Sequence, residues 1–365
     1  MALKVAIVGL PNVGKSTLFN ALTQTAAAQA ANYPFCTIEP NVGDVAVPEP
    51  RLDVLASIAG SKEIIPARIN FVDVAGLVRG ASKGEGLGNQ FLANIRDCDA
   101  VAFVARCFVD DDITHVEGRI DPLSDLDIIE TELMLADLES LEKRVVNLEK
   151  RAKGGDKDSI TTLRLVKLAL TQLNAGRPAF TADVPKEDDK AWRMLQLLTS
   201  KPALYVCNVD EGSADKGNAL SDAVAARATK DGAKSVVISA KIESEIALLD
   251  AGERAEFLET IGLEEPGLNR MIHEAYKLLG LQTYFTVGPK EARAWTIHVG
   301  DTAPQSAGVI HTDFEKGFIR AETIAYDDYV RLKGEAGARE AGRMRLEGKE
   351  YVVQDGDVMH FRFNT

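Results

Sequence analysis

Residues 9–16 read GLPNVGKS, and their types and spacing suit the binding of phosphate groups. In the pattern G-x-x-x-x-G-K-[ST], successive backbone N–H groups wrap phosphate oxygens, because glycine permits the dihedral angles and the close approach that this needs. Lys15 would bring a positive charge to the β- and γ-phosphates, and the Ser16 hydroxyl would bind Mg²⁺. The nucleotide-binding residues predicted in this stretch are Asn12, Val13, Gly14, Lys15, Ser16 and Thr17.

The residues on both sides of this loop predict the elements that hold it. Before it, LKVAIVGL is a short run rich in Val and Ile, which is typical of a buried parallel strand. After it, STLFNALTQ places Leu18, Phe19 and Leu22 at helical spacing. Phosphates bound between the two would lie at a helix N-terminus, where the dipole favours anions. The sequence therefore predicts an α/β fold of the P-loop NTPase type, similar to a G domain.

A second polar cluster predicts the remaining metal ligands. Asp73 ends the apolar run INFVD, where it is placed to hold Mg²⁺ mostly through water, and Gly76 can offer its N–H to the γ-phosphate as a switch does. Thr37, in the intervening NYPFCTIEPN, is the third candidate, so the predicted metal ligands are Ser16, Thr37 and Asp73. K⁺ is a candidate second cation, because related switches use an asparagine at the position of Asn12 to help hold one.

A third cluster, in KPALYVCNVDEG, is predicted to contact the base through Asn208, Val209 and Glu211. GTP switches carry N-K-x-D here, and the aspartate binds guanine through two hydrogen bonds. Glu211 stands at the aspartate position and is one methylene longer, so guanine would leave donors poorly paired, at a cost of about 1–3 kcal/mol. We therefore expect ATP to be favoured over GTP. Main-chain groups of Ser239 and Ala240, after the next strand, are predicted to contact the base as well.

The middle and the end of the chain predict two further units. Apolar residues recur at alternating steps of four and three from Met134 to Ala152, and the stripe repeats from Leu163 to Leu173 after the polar turn KGGDKDS. This pattern predicts an antiparallel helical hairpin with a coiled-coil-like seam. Short alternating strands near the end predict a β-grasp domain. The predicted domains are residues 1–127 with 201–280 for the nucleotide, 128–200 for the insertion and 281–365 for the β-grasp unit.

Composition narrows the class of protein. The 365 residues carry a formal net charge of −13, which argues against a generic DNA-binding protein and against a binder of anionic membranes. None of the 4 cysteines forms a C-x-x-C pair, and we expect reduced thiols. No apolar run approaches the ~18–20 residues of a membrane span, and no signal peptide is evident. These features predict a cytoplasmic protein, expected to be a monomer.

Four motifs together resemble the YchF family, also called Obg-like ATPases, among the P-loop NTPases related to translation factors. They are GLPNVGKST, NYPFCTIEPN, DVAGLVRGASKGEGLGNQFL and NVDE, and the likeness extends from end to end. The resemblance implies an ATPase that also accepts GTP, a helical insertion, a C-terminal TGS domain and association with ribosomes.

The residues that would drive hydrolysis follow from the switch motif and from this resemblance. Ras-like switches place a glutamine after D-x-x-G to orient water, whereas Leu77 here can neither donate nor accept a hydrogen bond. Slow basal turnover is therefore predicted. The resemblance makes the loop histidine His115 a candidate to position water, and the predicted catalytic set is His115, Leu77 and Gly76. Arg79 or Lys83 could instead approach the γ-phosphate, or a partner could supply the missing group.

These observations predict a Mg²⁺-dependent ATPase that acts as a slow, ribosome-associated molecular switch. Two alternatives remain open. The first is a GTPase with loose base selection. The second is a nucleotide-gated scaffold on the ribosome, in which hydrolysis is incidental.

Overall fold

A computed structural model of the chain describes residues 3–30, 41–74, 87–110, 112–113 and 118–364, without the side chains of residues 26–30, 87–90 and 251. The strands are β1 Lys4–Val8, β2 Val42–Ala46, β3 Glu63–Ile65, β4 Arg68–Asp73, β5 Ala100–Cys107, β6 Ala203–Val209, β7 Lys234–Ile238, β8 Leu281–Val287, β9 Glu291–His298, β10 Phe318–Ile324, β11 Arg345–Glu347 and β12 Val358–Phe363. The helices are α1 Lys15–Ala30, α2 Pro50–Ala59, α3 Leu87–Arg96, α4 Pro122–Lys153, α5 Lys157–Asn174, α6 Asp189–Arg193, α7 Ala219–Lys230, α8 Ala240–Ile246, α9 Ala251–Thr260, α10 Gly267–Leu278, α11 Ala303–Ile310, α12 Thr312–Lys316, α13 Tyr326–Arg331 and α14 Glu335–Glu340. Short 3₁₀ turns occupy Ala179–Thr181, Lys186–Asp188, Leu198–Ser200 and Glu211–Ser213.

The first sheet has the strand order β2-β4-β1-β5-β6-β7, and every neighbouring pair is parallel except the antiparallel pair of β2 and β4. Its central strand β1 is built from the predicted Val and Ile run, and Val5 and Ile7 are completely buried. Leu18 and Leu22 of α1 are also fully buried. The carboxyl ends of the parallel strands meet at one edge, which is where open α/β sheets bind ligands.

The second sheet has the order β11-β10-β12-β8-β9-β3, and its last strand comes from a distant part of the chain. Residues 63–65 pair in parallel with β9 at residues 291–293. The sequence analysis places residues 63–65 in the nucleotide-binding unit. It could not predict that they pair with the second sheet, because a three-residue segment, EII, is too short to show the alternation of a strand. The pairing satisfies the backbone hydrogen bonds of the β9 edge.

Helix α2 joins the two sheets. The guanidinium of Arg51 binds the carboxylate of Asp355 at 2.7 Å and lies over the ring of Phe285, 5.4 Å from its centroid. Leu52 and Leu55 of the same helix belong to a core that also contains Phe285. Because one continuous core spans α2 and the second sheet, the two units share packing.

The helical hairpin is formed by α4 and α5, but it starts earlier than the sequence predicts. Helix α4 begins at Pro122 because the side chain of Asp121 accepts the N–H of Ser124 at 3.1 Å and proline suits the first helical position. The predicted seam is shifted on α5: Leu163 is only half-buried, whereas Leu165 is fully buried. The shift arises because the segment after α5 packs on the hairpin through Ala179, Leu195 and Leu197.

A buried carboxylate anchors the base of the hairpin. Asp137 on α4 accepts the backbone N–H groups of Leu198 and Thr199 and the hydroxyl of Thr199, each at 2.9 Å. Burial raises the pKa of the Asp137 carboxyl, and these hydrogen bonds oppose the rise.

Cys98, Cys107 and Cys207 are buried free thiols. Among the described residues, no helix has both the length and the apolar character needed to cross a membrane.

Candidate functional site

The glycine-rich loop between β1 and α1 contains two residues in the left-handed region of the backbone. Asn12 has φ 65° and Gly14 has φ 90°, and asparagine and glycine are the residues that tolerate this left-handed region best. A Cβ on Gly14 would also overlap the side-chain amide of Asn208. Helix α1 starts at Lys15, and the N–H of Leu18 donates to Gly14 O at 3.0 Å. The loop therefore ends at a helix N-terminus that faces the carboxyl edge of the sheet.

Lys15 and Asp73 meet at this edge. The ammonium of Lys15 is in direct contact with Oδ1 of Asp73, and the two side chains are only 8% and 18% exposed. Asp73 is the last residue of β4, and its N–H donates to Asn41 O at 2.8 Å. A cation and a carboxylate held together beside the loop suit a bound phosphate and its metal ion.

The donor set fits Mg²⁺ bound together with a nucleotide. In the described part of the chain, no group of three or more His, Cys, Asp or Glu side chains is placed to hold a metal. Mg²⁺ needs no such cage, because it usually takes one or two protein oxygens, substrate phosphates and water. The hard oxygens available here are the exposed hydroxyl of Ser16 and the carboxylate of Asp73.

Asn208 connects the phosphate loop with the loop after β7. Its Nδ2 donates to Val13 O and its Oδ1 accepts the N–H of Ala240, both at 2.9 Å. The side chain is buried with 4% of its surface exposed. Three predicted site residues are thus brought together, and the Asn208 amide positions the two loops on either side of it.

The other residues predicted to contact the base are placed in different ways. The side chain of Val209 packs in a core with Cys207 and Val224, so only its main chain is available to a ligand. Ser239 is buried, and its hydroxyl has no hydrogen-bond partner among the described residues. Glu211 is half-exposed and binds Lys241.

The sequence analysis predicted no role for the side chains of Lys241 and Arg106. Lys241 forms an ion pair with Glu211, with 2.8 Å between Nζ and Oε2. The signal that could have found it is a cation and an acid that each follow the carboxyl end of a neighbouring strand. Arg106 is 1% exposed, lies over the ring of Phe108 and donates to Asp110 O at 3.1 Å. Its unusual position as a charged residue near the end of an apolar strand was the available signal.

Glu243 fixes helix α8, which follows the loop after β7. Its Oε1 accepts the N–H of Gly267 at 2.8 Å, which ties α8 to the start of α10. Burial raises the pKa of the Glu243 carboxyl to about 7. Glu243 also lines a cavity of about 230 Å³ together with Arg254.

Several predicted residues lie outside the described part of the chain. They are the metal candidate Thr37, the catalytic candidates Gly76, Leu77 and His115, and the alternatives Arg79 and Lys83. Their roles remain predictions.

Comparisons with known proteins agree with this geometry. Residues 4–150 match a family model described as 50S ribosome-binding GTPase, and residues 281–364 match the YchF-GTPase_C model, described as a protein of unknown function. The ribosome-binding ATPase YchF of Pasteurella multocida is 59% identical over 365 residues, and that of Bacillus subtilis is 53% identical over 367 residues. Both alignments cover 100% of each chain.

A solved structure shows that the fold is shared as well. The YchF GTPase of Schizosaccharomyces pombe superimposes with a TM-score of 0.86 at 36% identity, and the match covers 99% of this chain and 97% of that one. The predicted α/β P-loop architecture and the resemblance are confirmed. Sequence identity of 59% and 53% along the whole chain, together with the shared fold, shows that the chain belongs to the YchF family of P-loop nucleoside triphosphatases.

Proposed function

We propose that the protein hydrolyses ATP, and GTP more weakly, as a slow Mg²⁺-dependent molecular switch associated with the ribosome. The single observation that carries the proposal is that the Lys15–Asp73 ion pair and the hydrogen bond from Asn208 to Val13 both lie around the phosphate loop at the carboxyl edge of one sheet. The relatives from Pasteurella multocida and Bacillus subtilis, both named as ribosome-binding ATPases, support the nucleotide and the partner.

Binding of the triphosphate follows from the phosphate loop. The amides of residues 13–17 and the Lys15 ammonium neutralise the phosphate oxygens, and the N-terminus of α1 adds its dipole. Ser16, Thr37 and Asp73 would hold Mg²⁺, with Asp73 acting through water. Mg²⁺ bound there would supply positive charge to the β- and γ-phosphates.

Slow turnover follows from the switch residues. Leu77 replaces the water-orienting glutamine, so His115, a cation or a partner must orient the attacking water. Gly76 would donate its N–H to the γ-phosphate. Asn12 lies in the left-handed region of the phosphate loop, and it would help to hold a K⁺ ion near the bound phosphates.

The base contacts favour ATP. Asn208, Val209, Ser239 and Ala240 form the base end of the site, and Glu211 occupies the position at which guanine is read. A GTPase with loose base selection is the second candidate, and the family model described as a GTPase favours it. Competition between the two nucleotides in one titration distinguishes these candidates.

The ribosome would meet the tip of the hairpin and the C-terminal sheet. Lys150, Lys153 and Lys157 are exposed around the turn between α4 and α5, which suits a phosphate backbone. Several other cations of the hairpin are engaged internally: Lys143 binds Glu139 at 2.6 Å, for example. A coiled-coil hairpin and a TGS-type β-grasp unit would then act as recognition modules of a cytoplasmic monomer.

Measurement of phosphate release tests the proposal. We expect slow release from Mg–ATP, slower release from Mg–GTP and stimulation by purified ribosomes. Lys15→Ala should lose both binding and release, whereas Lys216→Ala, which removes a surface lysine with an 89% exposed side chain, should change neither. Tight binding of ATP without any release, even with ribosomes, would instead support the scaffold.

A further inference from the structure

The ion pair of Glu211 and Lys241 lies at the base end of the site. Glu211 follows β6 and Lys241 follows β7, and these strands are neighbours in the sheet, with Asn208 opposite Ile238. The pair brings Nζ within 2.8 Å of Oε2, while the side chains of Glu211 and Lys241 remain 49% and 68% exposed. A carboxylate at the guanine-reading position is therefore already bound to a cation of the same chain.

The surroundings of Lys241 favour its charged form. The hydrogen bond to Glu211 raises the pKa of the Lys241 ammonium, and the carboxylates of Glu245 and Asp110 add to the rise. Lys241 is in the first turn of α8, next to Ala240, whose N–H is fixed by Asn208. The backbone that carries the lysine is therefore anchored even though its side chain is exposed.

The neighbouring carboxylate of Asp210 already has a partner within the turn. The hydroxyl of Ser213 lies 3.1 and 3.0 Å from its two oxygens and donates to this carboxylate, which stabilises the turn that follows β6. Glu211 stands at the aspartate position of the N-K-x-D pattern and is the carboxylate of this turn assigned to the base edge.

The hydrogen-bonding edges of the two purines differ in what they ask of this carboxylate. Guanine presents two neighbouring N–H donors, at N1 and N2, and a carboxylate pairs best with them when it faces the base edge with its full negative charge. Adenine presents an acceptor at N1 and makes no such demand. A carboxylate that is already bound to an ammonium is partly neutralised and is drawn towards that cation, so it pairs less well with the two guanine donors even though its oxygens keep free lone pairs.

We propose that Lys241 is a specificity-determining residue, which draws the Glu211 carboxylate away from guanine and so adds to the bias towards ATP that the longer side chain of Glu211 already gives. This inference rests on the proposed function, because it requires a purine triphosphate in this pocket. Lys241 acts here through Glu211 and has no part in binding phosphate or in the hydrolytic step.

Calorimetric titration of Lys241→Met with non-hydrolysable ATP and GTP analogues, at fixed Mg²⁺, tests the inference. We expect the affinity for the GTP analogue to rise about fivefold, while that for the ATP analogue stays within twofold. Lys216→Met is the matched control, since it removes an equal charge from the loop between β6 and α7, and its ratio of affinities should equal that of the parent. Circular dichroism melting checks that both variants fold.

The double variant Glu211→Gln with Lys241→Met isolates the mechanism. Without the carboxylate, loss of the lysine should no longer raise the affinity for the GTP analogue. An unchanged ratio in Lys241→Met, or an equal loss for both analogues, overturns the inference. Failure of the parent protein to bind either analogue overturns the proposed function instead, so the two failures are distinguishable.

Discussion

The phosphate end and the base end of the nucleotide site are held together in different ways. At the phosphate end, the Lys15 and Asp73 side chains are 8% and 18% exposed and in direct contact. At the base end, Glu211 and Lys241 form a similar pair with 49% and 68% of their side chains exposed. One pair is shielded by the loop and the sheet, and the other is open to water.

This difference in burial predicts that the two ends of the site respond differently to substitution. A buried charge is costly to leave unpaired, so substitutions at the phosphate end have large effects. Exposed ion pairs contribute little to stability, so the base end can change its side chains without endangering the fold. Substitution of Glu211 or Lys241 is therefore expected to change the preference between ATP and GTP and to leave phosphate binding unchanged.

The largest effect is expected from Lys15→Ala. Removal of a unit charge about 4 Å from a phosphate costs about 4 kcal/mol in a partly buried site, on the order of a thousandfold in affinity. Titration with Mg–ATP measures the loss, and Lys216→Ala is the control. An affinity within tenfold of the parent would show that the phosphate end does not depend on this charge.

Glu243→Gln tests the contact between α8 and α10 that supports the base end of the site. The pKa of Glu243 is about 7 in the folded protein and 4.5 as its ordinary value, so the native state binds more protons between these values. The stability that the protonated carboxyl contributes is complete below pH 4.5 and is lost as the pH rises through about 7.

We therefore expect the free energy of unfolding of the parent to fall by about 3 kcal/mol relative to Glu243→Gln between pH 5 and 8.5. Urea unfolding at a series of pH values measures it. Parallel pH profiles for the two proteins would contradict the expectation.

Asn208→Ala should weaken both ends at once. The substitution leaves the carbonyl of Val13 and the N–H of Ala240 without their partner, at a cost of about 2 kcal/mol, and should lower the affinity for ATP and GTP alike by about 30-fold. Asn208→Asp keeps the acceptor for Ala240 but places a buried, negatively charged oxygen against the carbonyl of Val13, so a loss at least as large is expected. A loss confined to one nucleotide would place Asn208 in base selection instead.

The smallest effect is expected from Ser239→Ala. The hydroxyl of Ser239 is buried and has no hydrogen-bond partner among the described residues, so its removal takes away a desolvated group without breaking a bond. The melting temperature should stay level or rise slightly, and the affinity for ATP should stay within twofold because the predicted base contact uses the main chain. A loss of tenfold would show that the hydroxyl contacts the ligand.

The sequence by itself determined the local parts of this protein. The phosphate loop, the strand before it and the helix after it could be predicted because glycine dihedrals and apolar periodicity act within a few residues. For the same reason Asp73 and Asn208 could be placed at strand ends. The seam of the hairpin could be predicted only in outline, because segments from outside α4 and α5 cover part of it.

Only the tertiary structure decided how distant residues meet. The hydrogen bond from Asn208 to Val13 joins positions 195 residues apart, and β3 completes a sheet whose other strands begin at Leu281. The pairing of Glu211 with Lys241 likewise depends on the adjacency of β6 and β7. Such contacts depend on strand order and packing, which are properties of the whole chain.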